Sequence, residues 1–107
     1  RDWGHAKDYV NAMWLMLQQK KPTDFVIATG KQFSVEQFAK RAFKVVGLNY
    51  RDYIKIDKKL YRPAEVNTLI GNYSKAKKLL KWKPKINFED LVDDMVESDL
   101  RLVKRNL

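Results

Sequence analysis

The sequence predicts an α/β chain that is mostly helical, with one or two short strands. Three observations carry that expectation. Several stretches repeat their apolar residues at helical spacing, one five-residue run is continuously apolar, and glycine or proline punctuates the junctions between them. At 107 residues the chain has the length of one small domain. A domain of that size buries roughly two thirds of its unfolded surface.

Each element can be justified in order. Asp8 to Gln19 reads as a helix, because Val10, Met13, Trp14 and Leu17 fall at i, i+3, i+4 and i+7. Asp8 is the expected N-cap, and Lys20, Lys21 and Pro22 end the helix. Phe25 to Thr29 (FVIAT) is a short apolar strand closed by Gly30, of the kind buried on both faces of a parallel sheet. Ser34 and Gln37 form a capping box for a second helix, Ser34 to Val46, with Val35, Phe38, Ala39, Ala42 and Val46 as its apolar stripe and Gly47 at its C′ position. Tyr50 to Ile56 alternates weakly and is expected to hold a short strand. Arg62-Pro63 breaks regular structure, Val66 to Ile70 is a short apolar stretch, and Gly71-Asn72 turns the chain. Ser74 to Leu80 is a short helix with Ala76, Leu79 and Leu80 as its apolar side. Asn87 caps a last long helix in which Phe88, Leu91, Val92, Met95, Val96 and Leu102 or Val103 face inward. One strand buried on both faces needs neighbours that this order of elements does not supply. FVIAT and the apolar face of the first helix are therefore expected to stay uncovered within the chain, with the rest of a larger protein lying upstream.

Composition excludes several classes of function. With 45% hydrophobic and 12% aromatic residues the chain has material for a core, so global disorder is not expected. The absence of cysteine excludes disulfides, a Cys-ligated zinc site and a thiol nucleophile, and a single histidine excludes a multi-histidine metal site. No secretory signal is visible and the longest apolar run, Ala12 to Leu17, is six residues, far from the ~20 needed to cross a bilayer. A cytoplasmic location is expected.

Few residues offer chemistry. There is no G-x-G-x-x-G, P-loop or G-x-S-x-G pattern. Glu89, Asp90, Asp93, Asp94, Glu97 and Asp99 read as a solvated helix face rather than as acid–base pairs, and His5 as a hydrogen-bonded structural residue. The net charge is +9, and Lys75, Lys77, Lys78, Lys81, Lys83 and Lys85 cluster around one short helix beside Trp82. Such a cluster could meet nucleic-acid phosphates with Trp82 stacking on a base. A solvated lysine face is the preferred reading. Arg1 and Arg62 sit beside rigid or aromatic neighbours, in Arg1-Asp2-Trp3-Gly4 and Tyr61-Arg62-Pro63-Ala64-Glu65. An arginine fork suits a phosphate, and a nearby carboxylate such as Glu65 can accept from a sugar diol. Spacing alone still favours an Arg62–Glu65 surface pair.

Longer motifs narrow the choice. RDWGHAKDYVNAMWLMLQQ, followed by DFVIATG, FSVEQFAKRAF, YRPAEV, SKAKKLLKWKP and FEDLVDDMVESDL, resembles the C-terminal part of the GDP-mannose 4,6-dehydratases, which are extended short-chain dehydrogenases. The resemblance runs over essentially the whole chain. It implies an N-terminal Rossmann domain outside this chain and a smaller C-terminal domain binding the nucleotide sugar between them. On that basis residues 1–107 are the substrate-binding part, and residues 25–29 are a late strand of the Rossmann sheet. Arg62 in YRPAEV matches the arginine that binds the diphosphate, Glu65 the carboxylate that holds the ribose hydroxyls, and Arg1 in RDW a second diphosphate arginine. The implied reaction is an NADP-dependent internal redox dehydration of GDP-mannose to GDP-4-keto-6-deoxymannose, a precursor of GDP-fucose. The implied partners are GDP-mannose, the Rossmann part and further copies of the complete protein.

The catalytic Tyr–Lys pair, Thr or Ser, Glu base and glycine fingerprint of the family lie upstream of the matched region. No catalytic or cofactor-binding residue is therefore assigned here, and the chain by itself is expected to be inactive. Four features depart from the family pattern. Asn67 and Asn72 stand where many members have Asp, Lys81 replaces the glycine of an L-G-W turn, and Leu48 to Tyr61 is a short form of a segment that some members extend. Another nucleotide-sugar epimerase or reductase is the nearest alternative, and a basic nucleic-acid-binding module the more distant one.

Overall fold

The computed structural model describes all 107 residues. Four α-helices carry the fold: α1 (Ala6–Leu17), α2 (Val35–Val45), α3 (Ser74–Leu80) and α4 (Phe88–Arg105). Single 3-10 turns at Tyr50–Asp52 and Lys58–Leu60 interrupt the long connection between α2 and α3. The molecule is a slab of 52 × 38 × 20 Å with a radius of gyration of 17.2 Å, against about 13 Å for a compact domain of this length. Only nine residues are buried, so packing is concentrated in two small units.

The first unit joins α1 to α3. Ala12 and Ala76 are both fully buried, and two methyl-sized side chains let the helices approach closely. Leu80 and Trp82 complete this core, flanked by Tyr9, Leu15, Met16, Phe25, Ile27 and Tyr73. Trp82 is 2% exposed, and its indole nitrogen donates to the Asp8 carbonyl at 2.9 Å. It is therefore unavailable for stacking on a base, which removes the aromatic half of the nucleic-acid reading. Losing a buried aromatic of this size costs roughly 3–5 kcal/mol.

Asp8 is not the N-cap of α1. His5 takes that place, its Nδ1 accepting from the Lys7 amide at 3.1 Å. With Nδ1 as acceptor, Nε2 carries the hydrogen and donates to Asp94 on α4 at 2.8 Å. Asp8 lies in the first turn with its side chain pointing away from the helix end. It accepts from the backbone amides of Lys85 and Ile86, each at 3.0 Å. The segment leaving Trp82 is thus tied to the start of α1.

The second unit packs α2 on α4 around aromatic rings. Phe88 stacks on Phe33 at 3.9 Å between centroids and meets Phe38 edge-on at 6.0 Å. Trp3 closes this cluster, edge-on to Phe38 at 5.4 Å and stacked on Phe88 at 6.1 Å. Leu91 and Val92 are buried beneath. Arg41 then clamps the two helices through a two-pronged pair with Asp93, at 2.8 and 2.7 Å. The hydrogen bond to Asp93 raises the Arg41 guanidinium, and the reciprocal bond lowers the Asp93 carboxyl. Two members of the acidic run, Asp93 and Asp94, are thus engaged with other elements, whereas Glu89, Asp90, Glu97 and Asp99 are exposed.

Several expectations need correction. No strand forms. Residues 25–29 form no regular element, and no backbone–backbone hydrogen bond involves residues 25–28, because no neighbouring strand is present to receive them. The expected strand at residues 50–56 is a 3-10 turn over Tyr50–Asp52, started by the Asn49 side chain accepting from the Arg51 amide. The apolar face of α1 points outward, with Val10, Met13, Trp14 and Leu17 59–82% exposed, as expected for a face with no cover within the chain. FVIAT is partly covered, since Ala28 is buried and Val26 exposed. Beyond Val92 the apolar stripe of α4 opens to solvent at Met95, Leu102 and Val103, because α2 covers only its first half. Val35 and Leu79 are likewise exposed.

The ends of α2, α3 and α4, unlike the start of α1, follow the sequence closely. Ser34 and Gln37 make the reciprocal capping box, and Gly47 adopts φ +74° after α2. Lys81 ends α3 in the left-handed region at φ 57°. That conformation costs a side-chain-bearing residue about 1–2 kcal/mol and costs glycine almost nothing. Replacing Lys81 by Gly is therefore expected to raise the unfolding midpoint, by a stabilisation of about 1 kcal/mol, and Lys81→Val to lower it. Thermal denaturation of the two variants checks this ordering.

Candidate functional site

A cleft of about 890 Å³ opens between the first residues of the chain, the start of α2 and the connection running from Leu60 to Leu69. Arg1, Arg62 and Glu65 all line it. The sequence places these three residues in two segments sixty residues apart, and the structure brings them together. Residues to which the sequence assigned no binding role complete the walls: Trp3, Val35, Tyr61, Val66 and Asn67.

The floor is built from the backbone outward. Phe33 donates its amide to the Arg1 carbonyl at 2.8 Å, and the Arg1 nitrogen donates to the Phe33 carbonyl at 2.7 Å. This reciprocal pair, of the kind that joins antiparallel strands, brings Ser34 and Val35 to the cleft edge. Nothing local in the sequence links residue 33 to residue 1, so this wall was invisible to motif reading. Gly4 lies directly against the Tyr9 ring, and a Cβ here would push that ring aside.

Asp2 sits under the cleft with its carboxylate fully engaged. Oδ1 accepts from the Thr29 amide at 2.9 Å and from the Thr29 hydroxyl at 2.5 Å. Oδ2 accepts from the amides of Gly30 and Gly71, each at 3.0 Å. Burial pushes the Asp2 carboxyl up. The bond from the Thr29 hydroxyl and those from the Gly71, Thr29 and Gly30 amides outweigh it and hold the group below its ordinary value of 3.8.

Above this floor the charged groups meet. The Arg1 guanidinium pairs with Oε1 of Glu65 through Nη2 and donates through Nη1 to the Val66 carbonyl at 2.8 Å. Arg62 Nε lies 3.9 Å from Oε2 of the same Glu65. One carboxylate is therefore shared by two guanidinium groups. Exposed pairs of this kind contribute only about 0–1 kcal/mol to stability, and the Arg62 side chain is 75% exposed. Such a cluster adds little to the fold and leaves its donors within reach of a ligand. Two forks of N–H donors suit the oxygens of a phosphorylated ligand, and the carboxylate suits hydroxyl donors.

The lysine cluster builds no comparable site. Lys77, Lys78, Lys81, Lys83 and Lys85 are exposed. Lys75 is occupied, donating to the Thr23 hydroxyl at 2.8 Å and the Asp24 carbonyl at 2.6 Å, with its ammonium 5.1 Å from the Phe25 ring centre. No group of three or more acidic or histidine side chains is placed to hold a metal ion. No helix is long and apolar enough to cross a membrane.

The residues present do not fit a dinucleotide cofactor. The glycine amides that could cradle its phosphates, those of Gly30 and Gly71, are already spent on the Asp2 carboxylate. Tyr73 and Lys77 have the spacing of a tyrosine–lysine pair, but the Tyr73 ring is packed edge-on against Trp82 at 5.6 Å.

A helical chain thus carries a cleft whose arginine and glutamate groups suit the oxygens and hydroxyls of a phosphorylated, hydroxyl-bearing molecule. Comparison with known proteins makes this particular. The profile of the family described as GDP-mannose 4,6 dehydratase matches residues 1–95, and the chain belongs to that family. It is 56% identical over 105 residues to GDP-mannose 4,6 dehydratase 1 of Arabidopsis thaliana, covering 98% of this chain and 29% of that protein. It is 49% identical over 121 aligned positions to the GDP-mannose 4,6 dehydratase of Dictyostelium discoideum, covering 97% of this chain and 34% of the relative. It is 44% identical over 123 positions to that of Homo sapiens, covering 99% and 33%. The chain therefore spans about a third of the length of these relatives. Alignments of 121 and 123 positions exceed the 107 residues here, so those two relatives carry inserted residues that this chain lacks.

The Asp2 network has a direct consequence for acid stability. Its carboxyl is lowered in the folded state, so its contribution is fully present above pH 3.8 and is lost as pH falls through the lowered value. Wild-type protein is expected to lose more stability than Asp2→Asn when pH drops from neutrality to below that range. Urea midpoints at the two pH values, measured for both proteins, test the difference.

Proposed function

We propose that this chain is the nucleotide-sugar-binding part of a GDP-mannose 4,6-dehydratase. The observation that carries the reading is the convergence of Arg1, Arg62 and Glu65 on one cleft, in a chain of that family. In this reading the two guanidinium groups take the diphosphate of GDP-mannose. Glu65, released from its pairing with them, accepts from the ribose hydroxyls. The phosphate charge replaces the carboxylate as partner for the arginines, so the exchange keeps both cations compensated.

The complete protein would convert GDP-mannose to GDP-4-keto-6-deoxymannose, with NADP and the reacting groups held by a Rossmann part beyond these residues. Residues 25–29 would join the sheet of that part as a late strand. Two features support this: the backbone of residues 25–28 has no ladder partner here, and the outward faces of Val10, Met13, Trp14, Leu17 and Val26 offer apolar surface to be covered. A cytoplasmic enzyme assembled from several copies fits the same reading. The basic nucleic-acid alternative loses support because Trp82 is buried and Lys75 is engaged.

Arg62→Ala in the full-length protein tests the assignment. Hydrogen bonds to a charged group contribute about 1.5–3 kcal/mol, which corresponds to roughly ten- to 150-fold in affinity. Isothermal titration with GDP-mannose is expected to show a loss of that size. An unchanged affinity would remove Arg62 from the site.

A further inference from the structure

We propose that Asp2 is a positioning residue for this cleft. Its carboxylate fixes the distance between the two walls and thereby the approach of Arg1 to Glu65. The inference rests on the nucleotide-sugar reading for what the cleft holds, and on the hydrogen-bond geometry alone for how its walls are held.

The wall that carries Arg62 and Glu65 has little structure of its own. Past the 3-10 turn ending at Leu60 there is no helix until Ser74, and residues 61–70 are all exposed. Within residues 62–71 only two backbone atoms are hydrogen-bonded. The Val66 carbonyl accepts from the Arg1 guanidinium, and the Gly71 amide donates to Asp2. Consecutive residues, Arg1 and Asp2, thus hold the whole wall. Arg1 is the group a phosphate would recruit. When it turns to a ligand, the Asp2–Gly71 bond is the tether that remains.

The opposite wall hangs from the same carboxylate. Thr29 and Gly30, bonded to Asp2, begin the turn that leads to Phe33 and on to Ser34 and Val35 at the cleft edge. The glycine at position 71 also has a specific reason. A Cβ there would collide with the Cβ of Ala28, so only glycine brings this amide within reach of Oδ2. One carboxylate therefore sets where both walls start. A shift of about 1 Å in a positioned group can cost up to a hundredfold in rate or affinity.

Asparagine at position 2 is a sharp probe, because it keeps the shape and changes the bonding. An amide has one acceptor oxygen and one donor NH2 group. If its oxygen faces Thr29, its NH2 faces the N–H groups of Gly30 and Gly71, and the reverse orientation sets the NH2 against the Thr29 N–H. Thr29→Val is the matching control. It removes the hydroxyl's bonds to Oδ1 and to the Lys31 backbone and leaves the Thr29, Gly30 and Gly71 amide bonds to Asp2 in place.

The experiment uses the full-length protein and two readouts. Asp2→Asn is expected to raise KM for GDP-mannose about tenfold or more with kcat within about threefold, and to speed hydrogen exchange across residues 62–71. Thr29→Val is expected to lower thermal stability while leaving both readouts near wild type. If Asp2→Asn does not fold, Asp2→Glu keeps the charge, displaces it by one methylene and is expected to show the same split. Unchanged exchange across residues 62–71, or equal KM shifts in the Asp2 and Thr29 variants, overturns the inference. Wild-type protein that fails to bind GDP-mannose overturns the nucleotide-sugar reading instead, and the exchange data still decide whether Asp2 holds the wall.

Discussion

A carboxylate with four donors joins three stretches of chain that have no ladder to bring them together. Asp2 gathers the end of the FVIAT segment and the Gly71 turn beneath the first residues. Asp8 does the same for the segment after Trp82. In a sheet protein, backbone ladders would make such long-range joins. Here buried or half-buried carboxylates receive backbone amides in their place. Each charge-assisted bond is worth about 1.5–3 kcal/mol, which matters in a chain where only nine residues are buried. The same bonds create a vulnerability, because a carboxylate stripped of donors beneath a half-buried floor is costly to leave unpaired.

The site follows from this arrangement. The cleft contains no helix-borne charged residue of its own. Its arginines and glutamate stand on irregular backbone whose position depends on Asp2, on the Arg1–Phe33 backbone pair and on the aromatic cluster around Phe88. Exposed charges on a loosely tied wall are free to exchange partners, as the proposed replacement of Glu65 by a diphosphate requires. The large outward apolar surface, from Val10 to Leu17 and at Val26, fits a part that functions against the rest of a larger enzyme.

Much of this was legible in the sequence, for identifiable reasons. The three later helices and their ends were local matters of capping and periodicity. The Ser34–Gln37 box, Gly47, Ser74–Leu80 and the Asn87 cap all fall where side-chain chemistry put them. Lys81 was recognised as a residue in a glycine position, and its φ of 57° bears this out. What was not legible depended on distant partners. FVIAT has the composition of a strand, but strand structure needs a neighbour. Asp8 looks like a cap because caps are local, whereas its amide partners lie 77 and 78 residues away. His5 took the cap through a ring nitrogen, a substitute for the usual hydroxyl or carboxylate. Arg1, Arg62 and Glu65 stand out by motif, yet no periodicity shows that they share a cleft.

Whether this cleft holds the nucleotide diphosphate can be seen in a crystal structure of the full-length protein with GDP. Diphosphate oxygens are expected within hydrogen-bond distance of Arg1 and Arg62, with ribose hydroxyls on Glu65 and the Asp2–Gly71 bond intact. GDP bound elsewhere, with the Arg1–Glu65 pair undisturbed, would contradict this expectation.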